Sequence, residues 1–249
     1  RERPGDQLFP WSKPSAYSAS TDQGDVMTFG EIKTAFQSAV SGSAAKMALV
    51  LCTVMWIGGG MGTGMGVIDF QWEFLFVEEL GWDSQDFLDA KGLPVFLMTM
   101  LGFLVGGLLG SKFGSKKTLT AAVAVGTVMT VAWSALRGQW TDNDMMLQIW
   151  LVWTLVWAIV GVNLLAFLMS VTSKEVAGTQ FSIYMTLINV GAFTGNALSP
   201  QLLDVAGGSF PNLFLFGAAF QALVLVVLLQ IKDEPKSTPP ESIVIQESE

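Results

Sequence analysis

The chain has no histidine, one cysteine (Cys52), two tyrosines and little charge, 14% of 249 residues. Without imidazole the usual zinc sites and histidine-dependent catalytic groupings are excluded, and a lone cysteine cannot build a disulfide framework. Ordinary soluble domains carry roughly a quarter charged residues, so a soluble globule is disfavoured. Bases are scarce, 13 against 21 acids, and the net charge of -8 offers no basic face for nucleic acid. No nucleophile-base grouping supports an enzyme, and no cofactor or metal is implied. What is plentiful is apolar: 51% hydrophobic residues, mean hydropathy +0.50, 17 Phe, 9 Trp and 26 Gly. That mixture suits lipid-facing helices whose backbones approach closely, hence an integral membrane protein. Residue 1 is Arg rather than Met, so the chain reads as processed or as part of something longer.

Six runs lack Asp, Glu, Lys and Arg: Met47 to Val67, Leu93 to Leu109, Leu119 to Leu136, Met145 to Met169, Phe181 to Leu203 and Leu213 to Ile231. Each approaches the roughly 20 residues that a helix needs to cross about 30 Å of hydrocarbon. None alternates as barrel strands do, and lipid admits only helices or closed barrels. The expected architecture is all-α, a six-transmembrane-helix bundle over 47–231 with its first span extending toward 77. Six crossings place both termini on one side. Arg1, Arg3, Lys13, Lys33, Lys46, Lys112, Lys116, Lys117, Lys174, Lys232 and Lys236 lie on that side, against Lys91 and Arg137 on the other. Eleven bases against two make the terminal side cytoplasmic.

Residues 1–46 read as a cytoplasmic loop that ends in a short interfacial helix. Pro4, Pro10 and Pro14 keep its start extended. A capping box at Thr28-Phe29-Gly30-Glu31 opens a helical spacing of Phe29, Ile32, Phe36 and Val40. The apolar stretch of a signal peptide is missing from this segment. Residues 232–249, with Pro235, Pro239, Pro240 and many acids, read as a disordered cytoplasmic tail.

Between spans two and three stands Gly107-Leu108-Leu109-Gly110-Ser111-Lys112-Phe113-Gly114-Ser115-Lys116-Lys117. This resembles the cytoplasmic signature of the major facilitator superfamily, with Gly107, Lys112, Gly114, Lys116 and Lys117 in place. It departs at Ser111, where the family has an aspartate, and at Ser115, where it often has a base. The resemblance implies half of a 12-helix fold, made of two three-helix inverted repeats. Because the second copy of the motif is the degenerate one in that family, it further implies the C-terminal half, helices seven to twelve. Arg1 to Asp6 with Leu8-Phe9-Pro10-Trp11 is similar to the central loop of some bacterial members. The stretch from Ala177 to Asn189 resembles the start of helix eleven in the peptide, acetyl-coenzyme A and drug transporter family, which includes AmpG-like muropeptide permeases. A bacterial inner membrane location follows from the same resemblance. A phosphate-binding loop does not: Gly110-Ser111-Lys112 lacks the adjacent Gly-Lys-Ser/Thr.

In the fifth span Thr179, Ser182, Thr186, Asn189 and Asn196 share one helical face. They read either as the lining of a substrate cavity or as interhelical hydrogen-bonding groups. Gly191 and Gly195 form a small-xxx-small pair on another part of that helix. The first span carries six glycines between Gly58 and Gly66, so it should kink, break or pack closely. Beyond it Asp69 and Glu73 are four apart; they read as a proton or cation site or an outer gate, or as interfacial acids. Trp150, Trp153 and Trp157 make a stripe in span four, as packing or as a substrate platform, with Asn163 a further cavity candidate. Together these features describe half of a secondary transporter that carries a small organic solute by alternating access, with proton coupling as an option. Its partners would be an N-terminal six-helix half, membrane lipid and the solute. The alternative is a six-helix scaffold, assembly factor or channel subunit.

Overall fold

The computed structural model describes residues 41–60, 65–173 and 176–231, together with Gly30, Thr34 and Gln37. The capping box at 28–31, the spacing of Phe29, Ile32, Phe36 and Val40, and the tail at 232–249 lie outside the described residues. So do Arg1, Arg3, Lys13, Lys33, Lys174, Lys232 and Lys236. Among the described residues the chain is all helical, with no strand. Helix α1 spans Ser43–Val54, α2 Ser84–Lys91, α3 Leu93–Phe113, α4 Ser115–Ala135, α5 Asn143–Ser170, α6 Ala177–Val205 and α7 Phe210–Gln230. Four segments are long and apolar enough to cross a membrane: Ser84–Phe113, which joins α2 to α3, and α4, α5 and α7. Helix α6 has 29 residues, about 43 Å at 1.5 Å per residue, so it too has the length to cross. Its polar face is what sets it apart from those four.

The helix ends follow from local chemistry. Pro94 occupies the first turn of α3, where its missing N–H has no intrahelical partner to lose. Helix α3 stops at Gly114, whose φ of +91° suits glycine, and α4 starts at the next residue. The Asp142 side chain caps α5 by accepting from the Met145 N–H at 3.0 Å.

The first apolar run does not form one helix. Helix α1 ends at Val54, and the chain turns through Gly59, φ +84°, to return at Gly66, φ +96°. The Val67 N–H donates to the Ile57 carbonyl at 2.8 Å, so the outgoing and returning strands of backbone lie side by side. Bare backbone is what permits this approach: a Cβ on Gly66 would overlap the Trp56 carbonyl and the Gly59 nitrogen, the latter at 2.5 Å. A 3-10 turn at Asp69–Gln71 and a π-helical turn at Phe74–Glu79 then lead outward.

Two kinds of contact hold the bundle. Helix α3 packs on α5 along Gly102 and Gly106, where an added Cβ would meet the Leu155 carbonyl at 2.6 Å and the Ile159 Cα at 3.0 Å. Gly110 continues the seam beneath Asn163. Small residues at four-residue spacing allow such close approach without bulky side chains between. Helices α4, α5 and α7 instead enclose tryptophans. The Trp72 ring lies 5.0 Å from Trp133, 5.3 Å from Trp153 and 5.7 Å from Phe214, which ties the segment after the break to all three helices.

Candidate functional site

Helix α6 has two working sides. Its inner side braces the broken first span: Gly191 and Gly195 let the Thr53 and Ile57 carbonyls come into contact with its backbone. Ser199, fully buried, donates to the Val67 carbonyl at 2.7 Å. Asn196 is half-buried and its Oδ1 accepts from the Gly66 N–H. Asn196 therefore holds the returning backbone, a job that the sequence pattern alone cannot distinguish from cavity lining.

The outer side carries Ser182, Thr186 and Asn189, all exposed. Both hydroxyls are turned back onto their own helix. Ser182 donates to the Gly178 carbonyl at 2.8 Å and Thr186 to the Ser182 carbonyl at 2.9 Å. Asn189 has no hydrogen-bond partner among the described residues. It borders a cavity of about 240 Å³ whose other walls are Trp56, Phe103 of α3, Leu164 and Leu165 of α5, and Met185 and Ile188 of α6. Phe103 and Asn189 both lie near the middle of their helices, so the cavity sits at mid-span depth.

Of the cavity candidates only Asn189 borders this cavity; Ser182, Thr186 and Asn196 do not, nor do Asn163 and Trp157. Asn163 is buried, and its Nδ2 donates to the Gly106 carbonyl at 3.0 Å and to the Ile159 carbonyl at 2.9 Å. It pins α3 to α5, because the glycine seam brings its amide Nδ2 and a bare backbone carbonyl together. Trp157 is also buried, 6.0 Å from Trp56 and 6.0 Å from Trp153, and it covers Gly60 and Gly126. The stripe of Trp150, Trp153 and Trp157 is packing, with each residue 1% exposed or less. Trp56, adjacent to Trp157, supplies the aromatic wall in its place.

The acidic pair is divided. Asp69 is 2% exposed; its carboxylate accepts from the Gly60 N–H at 3.3 Å and from Trp72 Nε1 at 3.2 Å. Glu73 is exposed on the next turn. A four-residue spacing keeps side chains on one face only in a continuous α-helix, and here a 3-10 turn intervenes. Gln221 of α7 joins the Asp69 neighbourhood unforeseen: it is fully buried, its Nε2 donates to the Gly59 carbonyl at 3.2 Å, and its Oε1 has no partner. The signal for it is an amide in the middle of the apolar run from Leu213 to Ile231, whose other amide, Gln230, stands at its end.

At the start of α4, Lys116 Nζ donates to the Ile231 carbonyl at the end of α7. A base there satisfies a terminal carbonyl and complements the negative end of the helix. Lys112 lies over the Phe113 ring at 5.2 Å, and Lys117 is exposed. Ser111 donates to the Leu108 carbonyl at 2.9 Å. Gly107 is open, with nothing within 4 Å of an added Cβ, so close packing in this motif belongs to Gly106 and Gly110. Among the described residues no group of His, Cys, Asp and Glu is arranged to hold a metal ion.

The family model for the Major Facilitator Superfamily matches residues 8–196. No curated protein and no solved structure matches the chain.

Proposed function

The chain belongs to the major facilitator superfamily, a family of membrane transporters, and we propose that it forms the C-terminal half of a secondary carrier that works by alternating access. The observation that carries this reading is the outer side of α6. Its Asn189 amide, exposed near the middle of the helix, borders a cavity and has no hydrogen-bond partner among the described residues, which is what one wall of a route between two halves requires. An N-terminal six-helix half would supply the opposite wall. The altered signature loop, with Ser111 in the aspartate position, supports the assignment to helices seven to twelve.

Lys46, Lys112, Lys116 and Lys117 at one end of the bundle, against Lys91 and Arg137 at the other, favour a cytoplasmic location for the α3-α4 loop. A bacterial inner membrane and the AmpG-like branch, with muropeptides or acetyl-coenzyme A as solutes, are the finer reading suggested by 177–189.

Asp69 is the candidate coupling group. A buried carboxylate inside a membrane-spanning segment is costly unless it is used, and its hydrogen bonds from the Gly60 N–H and Trp72 Nε1 link it to the returning backbone. Glu73, exposed, would act at the outer mouth. The test is proton influx into proteoliposomes that contain the protein expressed from its native reading frame. Influx that starts only on addition of a solute, and that Asp69→Asn abolishes, supports a proton-coupled carrier. Solute uptake unchanged by Asp69→Asn and Glu73→Gln removes the coupling role. A chain that moves no solute is instead the scaffold, assembly factor or channel subunit.

A further inference from the structure

We infer that the crevice between α2 and the start of α5 binds a small organic cation, an ammonium group that carries a hydrogen-bond acceptor next to it. The inference goes beyond the carrier reading and stands without it.

The crevice encloses about 310 Å³ at the end of the bundle that carries Lys91 and Arg137. Its walls come from α2, the first turn of α3, the start of α5, and Trp82 just ahead of α2. Three carboxylates line it, those of Asp86, Asp89 and Asp144, and no base does. Among the described residues none of the three is ion-paired.

Acids in the first turn of a helix are ordinary, because they complement the positive end of its dipole, and Asp86 and Asp144 both hold such positions. Asp89 does not. It stands in the last turn of α2, where a carboxylate opposes the dipole, and accepts only a neutral donor, Gln85 Nε2 at 2.8 Å. Helix chemistry therefore leaves the third acid of the crevice unexplained.

The independent observation is Trp82. Its side chain lines the same crevice and is 9% exposed, and its Nε1 has no acceptor. Buried N–H groups are ordinarily paired, so an occupant that brings an acceptor is favoured there. Anions are disfavoured by three like charges. The acids are not brought together as metal ligands either, which makes a bare metal ion a poor occupant. An ammonium group is broader and directs three donors outward, so it can serve acids on two helices at once. A carbonyl beside it supplies the acceptor for Trp82.

The test uses the protein expressed from its native reading frame and purified in detergent, with Asn143→Cys as the reporter and an uncharged maleimide as the label. Asn143 lines the crevice and is exposed, and the native Cys52 is fully buried, which keeps the background low. Leu147→Cys, in the same wall, repeats each measurement with the Asn143 amide intact. Alaninamide is the probe. Its comparators are sec-butylamine, with the charge but no carbonyl, propionamide, with the carbonyl but no charge, and lactate, with the opposite charge. Alaninamide should slow labelling; sec-butylamine should be about tenfold weaker, the effect of losing one hydrogen bond, and the other two inactive. Asp89→Asn and Asp144→Asn, both at exposed positions, should each weaken protection by about fivefold at low salt. Trp82→Phe keeps an aromatic ring and loses the N–H, so alaninamide should fall to the level of sec-butylamine. Protection by any comparator equal to that by alaninamide in the parent overturns the inference. So does alaninamide protection that both Asp variants leave unchanged, or its absence at both reporters. Stronger protection by calcium ions than by alaninamide makes the crevice a metal site and overturns it too.

Discussion

Asn196 on α6 and Gly66, 130 residues earlier, meet through a hydrogen bond from the Gly66 N–H to the Asn196 Oδ1. One amide thus fixes where the interrupted first span comes back to the bundle. Removing it leaves a backbone donor in apolar surroundings, a loss of about 1–3 kcal/mol. Asn196→Leu should lower the melting temperature in detergent, whereas Asn189→Leu should not. Equal shifts for the two would show that Asn196 does not hold the loop.

Asp69 is predicted to act structurally as well as in coupling. Asp69→Leu strips the Gly60 N–H and Trp72 Nε1 of their acceptor and should cost about 1–3 kcal/mol, while Asp69→Asn retains an acceptor oxygen. Thermal unfolding of both variants checks this. An Asn variant as unstable as the Leu variant would mean that the charge, not the hydrogen bonding, is what the site needs.

The glycines of α3 should divide by face. Gly102→Ala drives a methyl against the Leu155 carbonyl, and overpacking of this kind costs about 1–3 kcal/mol. Gly107→Ala meets nothing within 4 Å and gains helix propensity, so it should be neutral or stabilising by up to about 1 kcal/mol. Denaturation in a common detergent compares them. A neutral Gly102→Ala would contradict the close α3-α5 seam.

Lys116 and Lys117 are adjacent yet unequal. Lys116→Ala removes the donor to the Ile231 carbonyl and should destabilise by about 0.3–1 kcal/mol, less at high salt. Lys117→Ala, exposed, should fall within about 0.5 kcal/mol of the parent. Proteolysis at the end of α7, faster in the first variant only, is the simplest readout.

Much of the fold was legible because hydrophobic length is a strong signal in lipid. The five later apolar runs overlie α3 to α7 to within a few residues at their ends. The glycine run left a kink, a break or close packing open in the first span; α1 ends at Val54, ahead of Gly58, and the glycine backbone beyond it is closely packed. Side-chain roles were harder to read. Helical spacing put Asn189 and Asn196 on one stripe, but Asn196 turns to the returning loop, a partner that exists only because the first span folds back. Asn163 looked like a cavity residue until the neighbouring backbone was known; Gly106 and Gly110 make it a pin. Asp69 and Glu73 were paired on α-helical spacing, and the 3-10 turn at Asp69–Gln71 separated them. Gln221 was passed over because its run holds no charge and reads as a plain span, and its importance depends on a carbonyl freed by the break, that of Gly59.

The tryptophan packing has an optical consequence. Trp56 borders the cavity and lies 6.0 Å from Trp157, which lies 6.0 Å from Trp153, itself 5.3 Å from Trp72. Indoles at these separations exchange excitation readily, so light absorbed by the cluster can migrate to the ring at the cavity wall. Anything that quenches Trp56 dims more than one residue's share of the emission. The protein therefore carries its own fluorescent gauge of cavity occupancy, with no label attached.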